Sequence, residues 1–436
     1  MKEDFDFDRV GKRLPYTAPD GFLDDMENNV WEERDKRRYY MKFWKKVLAM
    51  VMTAVCLVSL AGCGESNLTV EQEGNIQEET EQADSKSEKI KIGCTFPGMV
   101  DGGLKADVKA LLDLAAEALD IEVIYNNEFE VTAENTIKAT ENFIAAGCDG
   151  IIVCNFSESS LVKIGKICED AGVYWAQFFR NVGDEEVAKQ LEDYEYYVGR
   201  VYEDEYGACY QMGKTMAANG AKAVALMASQ HGDLTFETRA EGYRKAFEEE
   251  GVEIVKEEWD VAVEKGTDVA TNLLTAYPEI DGIALTGAKY APYVIAAEEN
   301  LGIDFKMLTG VDFDNTLGKM LEEGSITSIA GGHHSDPLFS LLLVYNTING
   351  AYEKEQFPLE VKNNMIFINN LEDYEKYNKY MVGYNDDFEN GQSYNAEEIR
   401  NLSYKDNPDT TIEDIQNAAA TITLEDVIER HKDLVK

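Results

Sequence analysis

The sequence predicts an α/β protein of two doubly wound lobes, each a parallel sheet covered by helices. Three observations support this fold class. The chain has 436 residues, more than one globular unit needs. From residue 89 onward, short apolar runs rich in β-branched side chains alternate with segments whose apolar residues recur at intervals of three and four. The alternation comes in two successive series, as expected for two sheets buried on both faces.

The first series of strands is KIKIGCTF (89–96), IEVIYN (121–126), GIIVCN (150–155), VYWAQF (173–178) and YYVGRV (196–201). The second is AVALMAS (223–229), EIVKEEW (253–259), GIALTG (282–287), KMLTGVD (306–312) and SITSIAG (325–331). Helical periodicity covers 103–119, 132–147, 205–219, 235–250 and 266–277. Two open sheets side by side leave a cleft at the carboxyl ends of their strands, where such folds bind ligands.

Composition narrows the function. Acidic residues outnumber basic ones 83 to 41, a formal charge of -42. Such a chain repels phosphate backbones, so nucleic acid is not an expected partner. Seven cysteines are too sparse for a disulfide framework and lack zinc-site spacing. Cys94, Cys148, Cys154, Cys168 and Cys209 lie in apolar stretches, where a thiol behaves as a small buried hydrophobe. The body carries no nucleophile elbow, Walker loop or metal-ligand cluster, so no enzyme activity, cofactor or metal is expected.

Ahead of the body, residues 41–62 read as a signal peptide: Lys42, Lys45 and Lys46 precede an apolar run that ends in small residues. The run is shorter than the roughly 20 residues that span a bilayer. Leu60-Ala61-Gly62-Cys63 resembles the lipobox of bacterial lipoproteins, which implies cleavage before Cys63 and a lipid on its sulfur. Residues 63–88 would then form a lipidated, acidic tether, since they lack apolar periodicity. Residues 1–40 precede the signal and are expected to lie outside the fold. Translation from Met41 is the simplest explanation, with a cytoplasmic arm as the alternative.

The segments ENFIAAGCDGIIVCN (141–155), TRAEGYRKAF (238–247), TNLLTAYPEIDGIALTG (271–287) and TGVDFD (309–314) carry a resemblance from about residue 89 to 370. In these the chain resembles the type I periplasmic sugar-binding proteins of ABC transporters, the ribose-binding proteins in particular. The resemblance implies two lobes joined by a three-segment hinge: residues 89–201 with 333–358 as lobe one, and 202–332 with 359–372 as lobe two. Residues 373–436 would be a polar C-terminal extension. It further implies an extracytoplasmic, lipid-anchored, monomeric protein that captures a small polar ligand, a sugar, and delivers it to an ABC permease. A receptor that presents its ligand to a sensor kinase or chemoreceptor is the alternative. A repressor of the lactose-repressor kind would need an N-terminal helix-turn-helix, and residues 1–40 hold no convincing one.

Sugar sites combine planar polar side chains, which bond neighbouring hydroxyls, with aromatic rings against the apolar faces. The resemblance implies ligand contacts for Asp312, at the end of KMLTGV, and for Arg239. The alternatives are a helix cap for Asp312 and a surface charge for Arg239. Asp204 sits where a ligand contact is implied, with an acidic turn as the other explanation. Phe96 and Asp101 stand in place of the asparagine and aromatic cluster of the ribose-binding pattern, and Gln177, Phe178 and Arg180 in place of an adjacent Asp-Arg. Gly287 and Gly331 leave gaps where polar contacts are implied. His333 is a candidate to fill one of them, and His334 should point the opposite way. Trp259 is the stacking candidate, ahead of Trp175, with core packing as the alternative for both.

Overall fold

The computed structural model describes residues 89–95, 103–126, 132–155, 157–303, 307–313, 316–382 and 392–434. The N-terminal extension, the signal, Cys63 and the tether lie outside the described residues, as do Phe96 and Asp101. Among the described residues no helix is long and apolar enough to cross a membrane.

In chain order the first lobe begins with β1 (Lys91–Thr95), α1 (Gly103–Leu119), β2 (Glu122–Asn126), α2 (Ala133–Ala145), β3 (Gly150–Cys154), α3 (Glu158–Ala171), β4 (Tyr174–Phe178), α4 (Glu185–Glu192) and β5 (Tyr197–Glu203). The second lobe follows with α5 (Glu205–Ala218), β6 (Ala223–Met227), α6 (Leu234–Glu250), β7 (Glu253–Glu258), α7 (Gly266–Ala276), β8 (Gly282–Leu285), α8 (Ala291–Leu301), β9 (Leu308–Val311), α9 (Leu317–Glu322) and β10 (Ile326–Gly331). The chain then returns through α10 (Asp336–Ile348) and β11 (Leu359–Asn363), crosses to β12 (Ile366–Ile368), and finishes with α11 (Leu371–Tyr380), α12 (Ala396–Asn401), α13 (Ile412–Thr421) and α14 (Leu424–His431).

The first sheet has the order β11-β5-β4-β3-β1-β2, all parallel, and the second β12-β10-β9-β8-β6-β7, with β12 alone antiparallel. Five strands of each sheet follow the same winding, so β4 in one lobe corresponds to β9 in the other. This is the two-lobed architecture expected from the doubled strand-helix alternation. The central strands are buried throughout, as a sheet covered on both faces requires. Helix α10, DPLFSLLLVYNTI, is apolar nearly all round, and it is buried from Asp336 to Thr347 against β3, β4 and β5.

Two boundaries differ from expectation. Residues 359–372 are expected in lobe two, yet β11 pairs with β5 along Leu359↔Gly199 to Asn363↔Glu203 and therefore completes the sheet of lobe one. Only β12 joins the second sheet. The crossings thus fall at Asp204, at Gly332 to Ser335, and at Asn364 to Met365. Gly332 has φ +81°, and a Cβ there would sit 2.6 Å from Ile366, so the second crossing needs glycine.

The other difference is the C-terminal segment, which is not a loose polar extension. Tyr377, Met381, Tyr394, Ile399, Ile415, Ile422 and Val427 are all buried. Helix α11 packs on α9 and β12 of lobe two, whereas α12 packs on α1 and α13 on β11 of lobe one. Asn346 of α10 donates to Leu402 O and accepts from Tyr404 N, at 2.9 and 2.8 Å. Helix α14 contacts α11, and its Arg430 and His431 both reach Glu398 of α12. The segment therefore spans both lobes.

All five cysteines of the body are buried and free.

Candidate ligand-binding site

The corresponding strands β4 and β9 each end in a non-glycine residue with positive φ: Phe179 at +62° and Asp312 at +88°. Such conformations cost about 1–3 kcal/mol and persist only where surrounding contacts enforce them. Here both residues converge on His333 at the second crossing. The imidazole Nε2 of His333 lies 3.1 Å from Asp312 Oδ1, and the Phe179 ring meets the imidazole edge-on at 5.2 Å. His333 is thus held between equivalent points of the two lobes.

Electrostatics reinforce this arrangement. Burial alone would push the Asp312 carboxyl upward, but the hydrogen bond and charge of His333, with Arg239 and Lys289 behind, hold it well below the carboxylate range. Burial likewise opposes a charge on His333, yet the bond to Asp312 and the nearby Glu203 raise its pKa.

Arg239 is buried, which excludes a surface charge. Its Nε and Nη2 donate to Glu205 Oε2 and Oε1 at 2.6 and 2.7 Å, and its Nη1 donates to Thr286 O at 2.7 Å. The guanidinium is therefore bidentate to a carboxylate of this chain. Close approach of α5 and α6 makes this possible: a Cβ on Gly242 would lie 2.4 Å from Tyr206 O. Asp312 caps no described helix, and its side chain is 40% exposed.

The lobes touch at the mouth of the cleft, where a Cβ on Gly183 of lobe one would lie 2.8 Å from Leu234 of α6. Behind this contact lies a cavity of about 250 Å³ whose walls include Phe179, Tyr202, Glu203, Glu205 and Thr238. On the other side opens one of about 480 Å³, walled by Asn155, Ser157 and Glu158 of lobe one and by Gln230, Asp233 and Glu237 of lobe two. Asp233 and Glu158 accept backbone N–H groups, Asp233 as the cap of α6 and Glu158 from Gly183 and Asp184.

The structure thus brings together Asp312, His333 and Arg239 at the base of the cleft, although neither cavity is walled by Asp312 or Arg239. Asp204 reaches the first cavity, but it caps α5 through Gly207 N at 3.1 Å and pairs with Lys362 at 3.0 Å, which is the acidic-turn arrangement. Gln177 is fully buried and donates to Arg180 O at 3.1 Å. Arg180 donates to Phe179 O at 2.8 Å and stabilises that unusual turn. Phe178 is a core residue, 0% exposed, and its neighbour Phe179 is the aromatic wall of the cleft. Trp259 follows the edge strand β7, donates to Glu257 at 3.0 Å and sits against His231 and Arg244, in neither cavity wall. Trp175 is buried core. His334 does point away from His333, toward Tyr377 and Ser393 of the C-terminal segment, although the two occupy a tight 3-10 turn rather than extended chain. Sequence reasoning missed Phe179, Tyr202, Lys289 and the pairing role of Glu205. The doubled phenylalanine at the end of β4 was the available signal.

Comparisons with known proteins agree with the two-lobed fold. A family model described as "Periplasmic binding protein domain" matches residues 95–334. No curated protein sequence matches the chain. A crystal structure of an ABC transporter periplasmic solute binding protein from Actinobacillus succinogenes with bound D-allose shares 22% identity at a TM-score of 0.58, covering 66% of this chain and 100% of its own. A solute binding protein from Bacillus halodurans with bound myo-inositol shares 21% at 0.55, over 67% of this chain and 98% of its own. A periplasmic ribose ABC transporter from Conexibacter woesei shares 18% at 0.55, over 67% and 95%.

Proposed function

This chain belongs to the periplasmic binding protein domain family, and from that premise we propose that it is an extracytoplasmic solute-binding lipoprotein of an ABC importer. It captures a small polar ligand, a sugar or polyol, between its two lobes, and a permease then receives it. The observation that carries this reading is the convergence of Phe179 and Asp312, the equivalent strand ends of the two lobes, on His333 beside a cavity with walls from both sides. An aromatic face next to planar polar groups suits a ring of alternating apolar and hydroxyl surface. The bound D-allose and myo-inositol of the two structural relatives support that class of ligand. Asp312 is the primary polar contact, exposed enough to exchange His333 for ligand hydroxyls. Arg239 acts from behind by holding Glu205 at the cavity wall. Phe96 and Asp101 remain candidates for the lobe-one side.

Cys63 anchors the mature chain. Each buried lipid methylene contributes about 0.8 kcal/mol, so more than one acyl chain holds firmly. The test is a thermal-shift screen of protein lacking residues 1–65 against monosaccharides, polyols, nucleosides and amino acids. A ligand that binds only the folded state raises the midpoint, by an amount that grows with concentration over Kd. A sugar or polyol should do so, and full-length protein should track with membranes until Cys63 is changed to Ala. Stabilisation by amino acids or nucleosides alone would defeat the sugar reading.

A further inference from the structure

The two cavities of the cleft are more acidic than the protein around them. The whole sequence sets 83 acidic residues against 41 basic ones. In the cavity of about 250 Å³, Glu203, Asp204 and Glu205 stand against a single base, Lys362. In the cavity of about 480 Å³, Glu158, Asp184, Asp233 and Glu237 line the wall, and among the described residues no lysine or arginine does.

Most of these carboxylates have partners. Lys362 reaches Asp204 Oδ2 at 3.0 Å, and Arg239 takes both oxygens of Glu205. Asp184 and Asp233 cap α4 and α6, Glu158 accepts from Gly183 N and Asp184 N, and Glu237 meets His231 Nδ1 at 2.8 Å. Glu203 is different. It is 5% exposed, it forms part of the smaller cavity's wall, and among the described residues no donor reaches its Oε2. Burial, and next the charge of Asp336, push its carboxyl well above the ordinary range, with Glu205 adding to this and His333 and Arg239 opposing it. Those two cations are already engaged, His333 by Asp312 and Arg239 by Glu205.

Glu203 therefore lacks both a donor for one oxygen and a cation of its own, a costly state for a buried carboxyl. A ligand ammonium supplies the two together, through a charge-assisted hydrogen bond about twice as strong as a neutral one. Aromatic surface surrounds the position, since Phe179, Tyr202 and Tyr206 share the same wall. Aromatic faces attract a cation as well as the apolar side of a sugar ring. We propose that the cleft selects an amino sugar, with its protonated amine held by Glu203 against the aromatic wall. This rests on the reading that the cleft takes a sugar or polyol, and adds the charge of that ligand. Glu203 belongs to lobe one and Glu205 to lobe two, so a cation in this cavity is attracted from both sides. The carboxylates of the larger cavity act at longer range and raise the local concentration of cations.

The test is calorimetry on the full-length chain in non-ionic detergent at mildly acidic pH and low salt. The probes are matched sets: D-glucosamine, D-galactosamine and D-mannosamine, each with its parent hexose and its N-acetyl derivative. The N-acetyl form keeps the ring and removes the charge. In at least one set the amine should bind about tenfold more tightly than both neutral members, the effect of one hydrogen bond to a charged group. Added salt should narrow that ratio. Glu203→Gln should abolish it, read as amine affinity over parent-hexose affinity, so that a general loss of binding is not mistaken for a loss of preference. Neutral sugars that bind as tightly as their amines would overturn the proposal and leave the sugar reading standing. Spermidine or putrescine binding where no sugar does would defeat the sugar reading, and the proposal with it. A Glu203→Gln variant that keeps the preference would place the ammonium elsewhere and also overturn it. Should that variant fail to fold, wild type decides: a preference for the amine that salt narrows supports the proposal, and a ratio near one, or one indifferent to salt, overturns it.

Discussion

At the scale of single residues, Arg239 shows how a side chain at the cleft can be committed to a partner in its own chain. Its family position led to a ligand contact, and the residue does lie at the cleft, but its bidentate bond to Glu205 is internal. Removing it leaves a buried carboxylate without its partner. Arg239→Ala should therefore cost about 3–5 kcal/mol of folding stability, rather than weaken binding in an intact fold. Urea denaturation measures this, and a variant as stable as wild type would show Glu205 finding another donor. The place of Asp312 just past an apolar strand was legible in KMLTGVD, since β9 runs Leu308–Val311. The pairing of Arg239 with Glu205, 34 positions apart, was not, since it depends on how closely α5 and α6 pack. Phe178 came from the resemblance, and Phe179 escaped notice because nothing local in the sequence marks the positive φ of +62° that turns its ring to the cleft.

At the scale of elements, the strands were legible because central parallel strands must be continuously apolar, and GIIVC and GIAL are. Strand β11 was not, for an equally physical cause. LEVKN alternates buried and exposed positions, the pattern of an edge strand, and nothing local says which of two edges it completes. The C-terminal segment, expected to be a polar extension, starts two of its helices with the capping boxes Asn395 to Glu398 and Thr411 to Asp414, a signal the sequence reading left unused. Their burial carried no such signal, because short helices with few apolar residues look like solvated ones. Caps also shape the cleft. Asp233 caps α6 by accepting from Thr235 N and Phe236 N at its wall. Asp233→Ala should cost about 1 kcal/mol by denaturation, and a neutral effect would mean that water replaces the cap.

At the scale of the whole molecule, the C-terminal segment adds a fourth tie between lobes that three crossings already join. Deleting residues 371–436 would uncover Phe313, which stacks edge-on with Tyr377 at 4.8 Å, and would leave Asn346 and His334 without their partners. Loss of buried contacts on both lobes predicts a protein that is unfolded or strongly destabilised, read by circular dichroism and thermal melting. A truncated chain melting with wild type would return the segment to the status of an appendage.

The five buried cysteines carry a chemical consequence for how such a molecule matures. Burial raises every one of their thiol pKa values, Cys148 to about 11 and Cys154 to about 12. Thiol–disulfide exchange begins with attack by a thiolate, so the folded body offers no nucleophile to an oxidising environment. The hazard is confined to the interval before folding, when Cys94 and Cys154 on nearby strands are still exposed and able to cross-link wrongly. Once the sheets close, burial itself shields these thiols from exchange.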